Sequence, residues 1–255
     1  MVGVTTVALI ERRPDISRDL FTRYWRDVHG VMAARIPGFA TYTQYHVTPL
    51  SEAAPPFEGI AIVTYASEDD RQGLATSEVS PHIHRDEQNV FRRALLYNLD
   101  GAALESAGDG DRFGDSAGFV VLGEGEDVGA ARSALAASRP AFCDVYDLRS
   151  GDPSGWNDTN VSGRRCVAMI HAGWPTADEA AAALTGLDRA LAVYRLDEAH
   201  VMVDGGRPTA VGLRGFDAVR TIREAGADNQ LSAAVVRAIY GGAMAPEPDP
   251  APARS

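Results

Sequence analysis

Lysine is absent from the chain: all 24 basic residues among its 255 are arginine. That excludes a Schiff-base lysine, and with it pyridoxal phosphate and lysine-aldolase chemistry. It also excludes a P-loop, whose lysine reaches the nucleotide phosphates. Cysteine is scarce. Cys143 and Cys166 form neither a metal spacing nor a CxxC pair, and read as buried free thiols in a reducing cytoplasm. No apolar run approaches the ~20 residues of a membrane helix. No basic stretch followed by an apolar core opens the chain, so neither a spanning segment nor a secretory signal is expected. Positive charge is in deficit, at a net -11. Nucleic acid is a poor partner for it, because phosphate binding needs clustered cations. No G-x-S-x-G elbow and no H-E-x-x-H motif occurs, which removes two hydrolase classes.

What is present reads as alternating strands and helices. Val2–Ile10 is β-branched and bounded by charge, a buried strand. Between Asp15 and Ile36, residues Leu20, Phe21, Tyr24, Trp25, Val28, Val31 and Met32 fall at helical spacing. Pro37-Gly38 ends that helix. Phe39–Val47 and Phe57–Ala66 follow as strands, separated by the loop chemistry of Thr48–Pro56. Ser67 with Asp70 starts a second helix in the manner of a capping box. It breaks near Pro81 and continues through Arg85–Leu95, before a fourth strand over Leu96–Leu104. The order β-α-β-β-α-β is the split βαβ, or ferredoxin-like, unit.

The stretch Glu105–Gly118 is rich in Gly and Asp and nearly free of apolar residues, so it reads as a linker. After it the order recurs: a strand over Phe119–Gly125, a helix over Val128–Ser138, strands over Pro140–Leu148 and Arg164–Gly173. A helix N-capped by Thr176 and a last strand, Val193–Val203, complete the unit. Two further helices, Phe216–Gly226 and Asn229–Gly241, precede an Ala/Pro tail expected to be disordered. The fold class is therefore α+β, with two tandem ferredoxin-like (βαββαβ) halves. The expected boundaries are 1–105 for the first domain, 106–117 for the linker, 118–242 for the second domain and 243–255 for the tail.

Several residues stand out. On a 100° wheel the first helix has its apolar stripe near Phe21, Val28 and Met32, with His29 at the edge beside Trp25. An imidazole there reaches past the helix and titrates near ~6.5, a useful range for proton transfer. Strand alternation puts Tyr42, Gln44 and His46 on one face of their strand. That face is too polar for a surface packed against helices, and is expected to line a barrel lumen or meet solvent. His82 and His84 are expected in a loop, without the third ligand a metal site needs. His171 and His200 read as structural strand-end histidines. Val120–Gly129 mimics a dinucleotide fingerprint, but its spacing is irregular. Glu124, Glu126 and Asp127 would also oppose a pyrophosphate.

The segment Leu20–Val47 resembles the EthD-like family of the dimeric α+β barrel superfamily. The pattern is Phe21, Tyr24-Trp25, His29, Pro37-Gly38 and Tyr42 through Val47. Ser80–Phe91 adds a second match, with Asp86 and Phe91 where the family carries an acidic residue and a phenylalanine. The resemblance covers roughly residues 1–105; the second half follows by topology only. It implies a pseudo-dimeric α+β barrel with one chain supplying both halves, and chemistry resting on a few polar groups in an apolar pocket.

From these residues and this resemblance we expect a cofactor-independent enzyme acting on a hydrophobic, aromatic or polyketide-like small molecule. The reaction would be acid/base chemistry: cyclisation, dehydration or isomerisation, in secondary metabolism such as antibiotic biosynthesis in a bacterial cytoplasm. His29, Tyr42 and His46 are the expected catalytic groups; Tyr24, Trp25, Gln44 and Tyr65 would bind substrate. No cofactor, metal, nucleic acid or membrane is expected, and the chain is a monomeric pseudo-dimer or a homodimer. The alternatives are a non-catalytic small-molecule-binding accessory protein, a cofactor-free monooxygenase, and a haem enzyme with His171 as ligand.

Overall fold

The computed structural model describes residues 4–52, 54–99, 104–150, 153–154, 165–187 and 191–240. The tail expected from residue 243 lies outside them. The first half contains β1 (Val4–Arg12), α1 (Arg18–Tyr24), a π-helical turn (Trp25–His29), α2 (Gly30–Ala33), β2 (Phe39–Pro49), β3 (Phe57–Tyr65), α3 (Glu68–Gly73), α4 (Ser80–Val90) and β4 (Phe91–Leu99). The second contains β5 (Leu104–Gly108), β6 (Ala117–Gly123), α5 (Val128–Ala137), β7 (Phe142–Asp147), β8 (Pro153–Ser154), β9 (Cys166–Gly173), α6 (Ala177–Thr185) and β10 (Ala192–Asp204). The short β11 (Arg207–Pro208), α7 (Ala210–Arg214), α8 (Phe216–Glu224) and α9 (Ala233–Tyr240) follow. Side chains start five of these helices by accepting an orphan N–H: Ser17 for α1, Ser67 for α3, Asp127 for α5, Thr176 for α6 and Thr209 for α7.

Both halves are ferredoxin-like and antiparallel. Their strand orders are β2-β3-β1-β4 and β7-β9-β6-β10, within one continuous curled sheet. β10 makes the junction. Ala192–Arg195 pairs with β6, and Tyr194 onward pairs with β2 as far as Val203 against Tyr42. On the other side the short β8 of the second half pairs with β4 of the first, Leu96 against Ser154 and Tyr97 against Pro153, while β5 pairs with β7. The stretch expected as a linker from residue 105 therefore opens with a paired strand. Its small, polar residues hid a role that backbone hydrogen bonds fulfil.

Inside the curl, one apolar core draws on both halves, with Tyr45, Val47, Phe57 and Ile60 meeting Phe119, Phe142, Met169 and Tyr194. Outside it, α1 to α4 cover the first half, and α5 and α6 pack Leu135 and Leu184 near Trp174 over the second.

Three expectations are corrected here. The helix expected through Arg85–Leu95 stops at Val90, and Phe91 begins β4, because pairing along β1 overrides local helix propensity. His82 and His84 lie on α4 rather than in a loop; Pro81 sits in the first turn, where proline starts a helix instead of breaking it. The polar face of β2 is neither luminal nor solvated. Tyr42, Gln44 and His46 are buried beneath the α1 and π-turn segment, while Tyr45 and Val47 face the interior.

Candidate functional site

A cavity of about 300 Å³ lies between the outer face of β3, β1 and β4 and the helices of the first half. That volume is at the lower end for a small-molecule pocket. Its floor is made of small residues on neighbouring strands: Ala8 pairs with Ala61, and Ala94 pairs with Ile10. Thr6, Ala8 and Ile10 alternate along the β1 side, which gives a slot roughly 13 Å long at ~3.3 Å per residue. The hydrogen-bonded pair Thr6–Asn98 marks one end, and His29, Glu87 and Phe91 belong to the other.

His29 reaches the cavity through the π-turn. There the Gly30 N–H closes on the Trp25 carbonyl, so the turn holds one residue more than an α-turn. The wider turn brings Phe21, Trp25 and His29 to the buried side and leaves Val28 46% exposed, unlike the straight wheel, which put Val28 in the stripe. His29 itself is 6% exposed. Its Nδ1 lies 3.0 Å from Asp86 Oδ2, and the Tyr24 hydroxyl donates to Asp86 Oδ1 at 2.6 Å. Burial pushes the Asp86 carboxyl up, but the hydrogen bonds from His29 and Tyr24 outweigh it and hold Asp86 below the usual carboxylate range. An ionised Asp86 keeps the imidazole proton on Nδ1 and leaves Nε2 as the basic atom. Phe91 packs against the ring at 5.1 Å.

The other expected site residues divide into those on the cavity wall and those behind it. Trp25, Tyr42 and Tyr65 line the cavity; Gln44, His46 and Tyr24 do not. Gln44 Nε2 donates to the Trp25 carbonyl at 2.9 Å and to the Tyr42 hydroxyl at 2.8 Å. Burial raises the Tyr42 and Tyr65 phenols above their ordinary range, so both stay protonated. His46 lies under the Trp25 ring at 4.6 Å and beside His200 at 5.3 Å. Burial, followed by the charges of His200 and Arg26, holds its pKa well below the ordinary histidine value.

Asp86, the partner of His29, and Glu87, a cavity residue, were not picked out by spacing. A signal was present. Ile83, Asp86, Glu87 and Val90 form the buried stripe of α4, so two acids occupy positions where periodicity calls for apolar residues.

His171 and His200 are built into packing. His171 stacks on Phe119 at 4.1 Å, with Tyr45 and Phe142 at its edges, an arrangement that leaves its ring enclosed by aromatics. His200 Nε2 meets Glu198 at 3.1 Å. Among the described residues no group of three His, Cys, Asp or Glu side chains is placed to hold a metal ion. Nor is any helix among them long and apolar enough to cross a membrane. The glycine-rich turn after β6 is filled from within: Glu126 accepts from the Gly123 N–H at 2.7 Å, and Asp127 caps α5.

Two ferredoxin-like halves joined edge to edge in one chain, with a pocket between sheet and helices, define a protein of the dimeric α+β barrel class. Residues 13–92 match the EthD domain. No curated protein matches the chain. Among solved structures, an anthrone oxidase-like protein is 12% identical, with a TM-score of 0.48 over 79% of this chain and 94% of that one. An EthD-family protein from Bacillus halodurans is 16% identical, with a TM-score of 0.29 over 37% of this chain and 95% of that one. A dimeric ferredoxin-like protein from Bacteroides fragilis is 10% identical, with a TM-score of 0.30 over 39% and 97%. At such distances fold does not carry chemistry.

Proposed function

We propose that the N-terminal cavity is the active site of a cofactor-independent enzyme that moves a proton on an aromatic or polyketide-like ketone. The observation that carries this reading is the buried His29, oriented by Asp86 and opening on a mostly apolar slot. His29 Nε2 takes a proton from the carbon next to the substrate carbonyl. The electron pair of that C–H bond moves to the carbonyl oxygen as an enolate. Asp86 stabilises the imidazolium that forms, and the imidazolium returns the proton at the position that completes the isomerisation, ring closure or loss of water. Tyr42 supplies the hydrogen bond to the enolate oxygen. Its phenol oxygen already accepts from Gln44, so its own proton is left to donate elsewhere. Each proton in this scheme is held by His29, Tyr42 or the ligand.

Hydrogen–deuterium exchange of 2-tetralone in D2O, followed by NMR, tests the proton transfer without knowledge of the natural substrate. The protein should accelerate exchange at the carbon between ring and carbonyl, and His29→Ala should reduce that acceleration by ~10²- to 10⁴-fold. Asp86→Asn, which disturbs the tautomer, should fall in the same direction. Exchange no faster than in buffer, or exchange untouched by His29→Ala in a folded variant, would overturn the reading.

A further inference from the structure

We propose that Asp27 is a positioning residue for His29: by holding the first N–H of α8, it ties the π-helical turn to the C-terminal appendage and keeps the imidazole aimed at Asp86. The inference rests on the reading of His29 as the proton-transfer group and adds what fixes that group in place. The appendage, from β11 through α8, follows both ferredoxin-like units and lies outside the residues 13–92 that match the EthD domain. It packs on the turn all the same. Asp27 Oδ1 accepts from the Phe216 N–H at 2.6 Å, and Gly215, at a φ of +85°, makes the bend that aims this N–H. Arg26, the residue before, donates to both Asp27 carboxylate oxygens, at 3.1 and 2.8 Å, and to Asp217 at 3.4 Å. Its buried guanidinium also lies 4.4 Å from the centre of the Phe216 ring. Beyond α2, Arg35 donates to the carbonyls of Gly212 and Leu213 in α7, at 3.3 and 3.0 Å.

A π-turn is rarer than an α-turn and sits inside a helix as a local widening, so it persists where contacts from outside hold it. Here Gln44 of β2 holds the Trp25 carbonyl, and α8 holds Asp27. With the α8 contact gone, the turn is free to tighten to the α-helical spacing that the sequence periodicity favours. Losing the extra residue rotates His29 relative to α1 by up to ~100°, the angle per residue of an α-helix. That motion brings Val28 toward the buried stripe and carries the imidazole off Asp86. The Nδ1 proton then loses its carboxylate partner, and the basic nitrogen leaves the slot. Asp27 does not line the cavity, so its effect on the ligand passes through His29.

Nitrogen NMR of the full chain with isotope-labelled histidine, taken with the imidazoles neutral, tests this; His29→Ala assigns the resonance. The unaltered protein should show His29 as the Nδ1–H tautomer, and Asp27→Ala should shift it toward the Nε2–H form. Asp27→Asn, whose amide oxygen still accepts from Phe216, should keep the Nδ1–H form. Phe216→Pro removes the same N–H at a first helical position, where proline is tolerated, while Phe216→Ala removes only the ring. The proline variant should follow Asp27→Ala, and the alanine variant the unaltered chain. Tetralone exchange should fall ~10- to 10²-fold in Asp27→Ala and Phe216→Pro, in turnover rather than in half-saturation. Loss of stability alone would leave the tautomer unchanged, so an Nδ1–H form retained in folded Asp27→Ala and Phe216→Pro overturns the proposal. So does an unaltered protein with the His29 proton on Nε2. An Asp27→Asn variant as impaired as Asp27→Ala overturns it too, because the charge of Asp27 and not its contact with α8 would then be the cause. If Asp27→Ala does not fold, the two Phe216 variants decide. A protein that accelerates no tetralone exchange but passes the tautomer comparison loses the catalytic reading and keeps the positioning role.

Discussion

His171 shows how a single residue can set acid sensitivity without taking part in chemistry. Burial among Phe119, Tyr45 and Phe142 drives its pKa down to about 3, against the opposing pull of Asp144. In the unfolded chain the same imidazole titrates near ~6.5. Between those values the unfolded state binds a proton that the folded state refuses, so folding stability falls as pH drops from ~6.5 toward 3 and is unaffected by this group above that window. The slope contributed by one such group is at most ~1.4 kcal/mol per pH unit. His46 and His200, also held down by burial, act in the same sense. Asp86, whose pKa is lowered, loses its contribution only below the carboxylate range. Urea denaturation at pH 7 and pH 5 should therefore show a smaller acid loss for His171→Phe than for the unaltered chain. Equal losses would mean that His171 is not held neutral by the fold.

At the scale of elements, the π-turn and β3 are matched to each other through one missing side chain. A Cβ on Gly59 would lie 2.6 Å from the Trp25 ring, and that ring is fully buried between Phe21 and His46. Gly59→Ala should cost ~1–3 kcal/mol, the usual penalty of overpacking. The smaller ring of Trp25→Phe should reduce that penalty, so a double-mutant cycle by chemical denaturation should return a favourable coupling. Purely additive effects would show that the strand and the turn do not share this contact. The same pairing matters for the cavity, because Trp25 lies on its wall and the turn that carries it also carries His29.

For the whole molecule, the decisive feature is that the central core belongs to neither half alone. Val47 and Ile60 from one side meet Phe119 and Tyr194 from the other, and β2 pairs with β10 along most of its length. A fragment covering residues 1–105, the proposed first domain, would expose an apolar sheet face and an unpaired β2 edge. Such edges recruit another strand. The fragment should therefore associate with a second copy, which size-exclusion chromatography with light scattering would detect as a dimer or larger species. A stable, well-folded monomer of that fragment would contradict the shared-core account.

Much of this architecture was legible in the chain. The element order, the capping residues Ser67 and Thr176, and the apolar periodicities of β1 and β6 depend on contacts within a turn or along a strand. Sequence displays such local features directly. His29 stands out in its motif, but its neighbour in the fold does not. Asp86 is 57 positions away and meets it only because α4 packs beside the π-turn. The wider turn likewise reversed the exposure of Val28. The face of β2 carrying Tyr42, Gln44 and His46 looked too polar to lie under helices, yet it is covered: the Trp25 carbonyl accepts from Gln44 and the Trp25 ring packs on His46, whose ring nitrogens are buried without a hydrogen-bond partner. β5 looked like a linker because its residues are small and exposed. Its place was decided by hydrogen bonds to β7, which involve backbone groups common to every residue type and so leave no mark in the side-chain pattern.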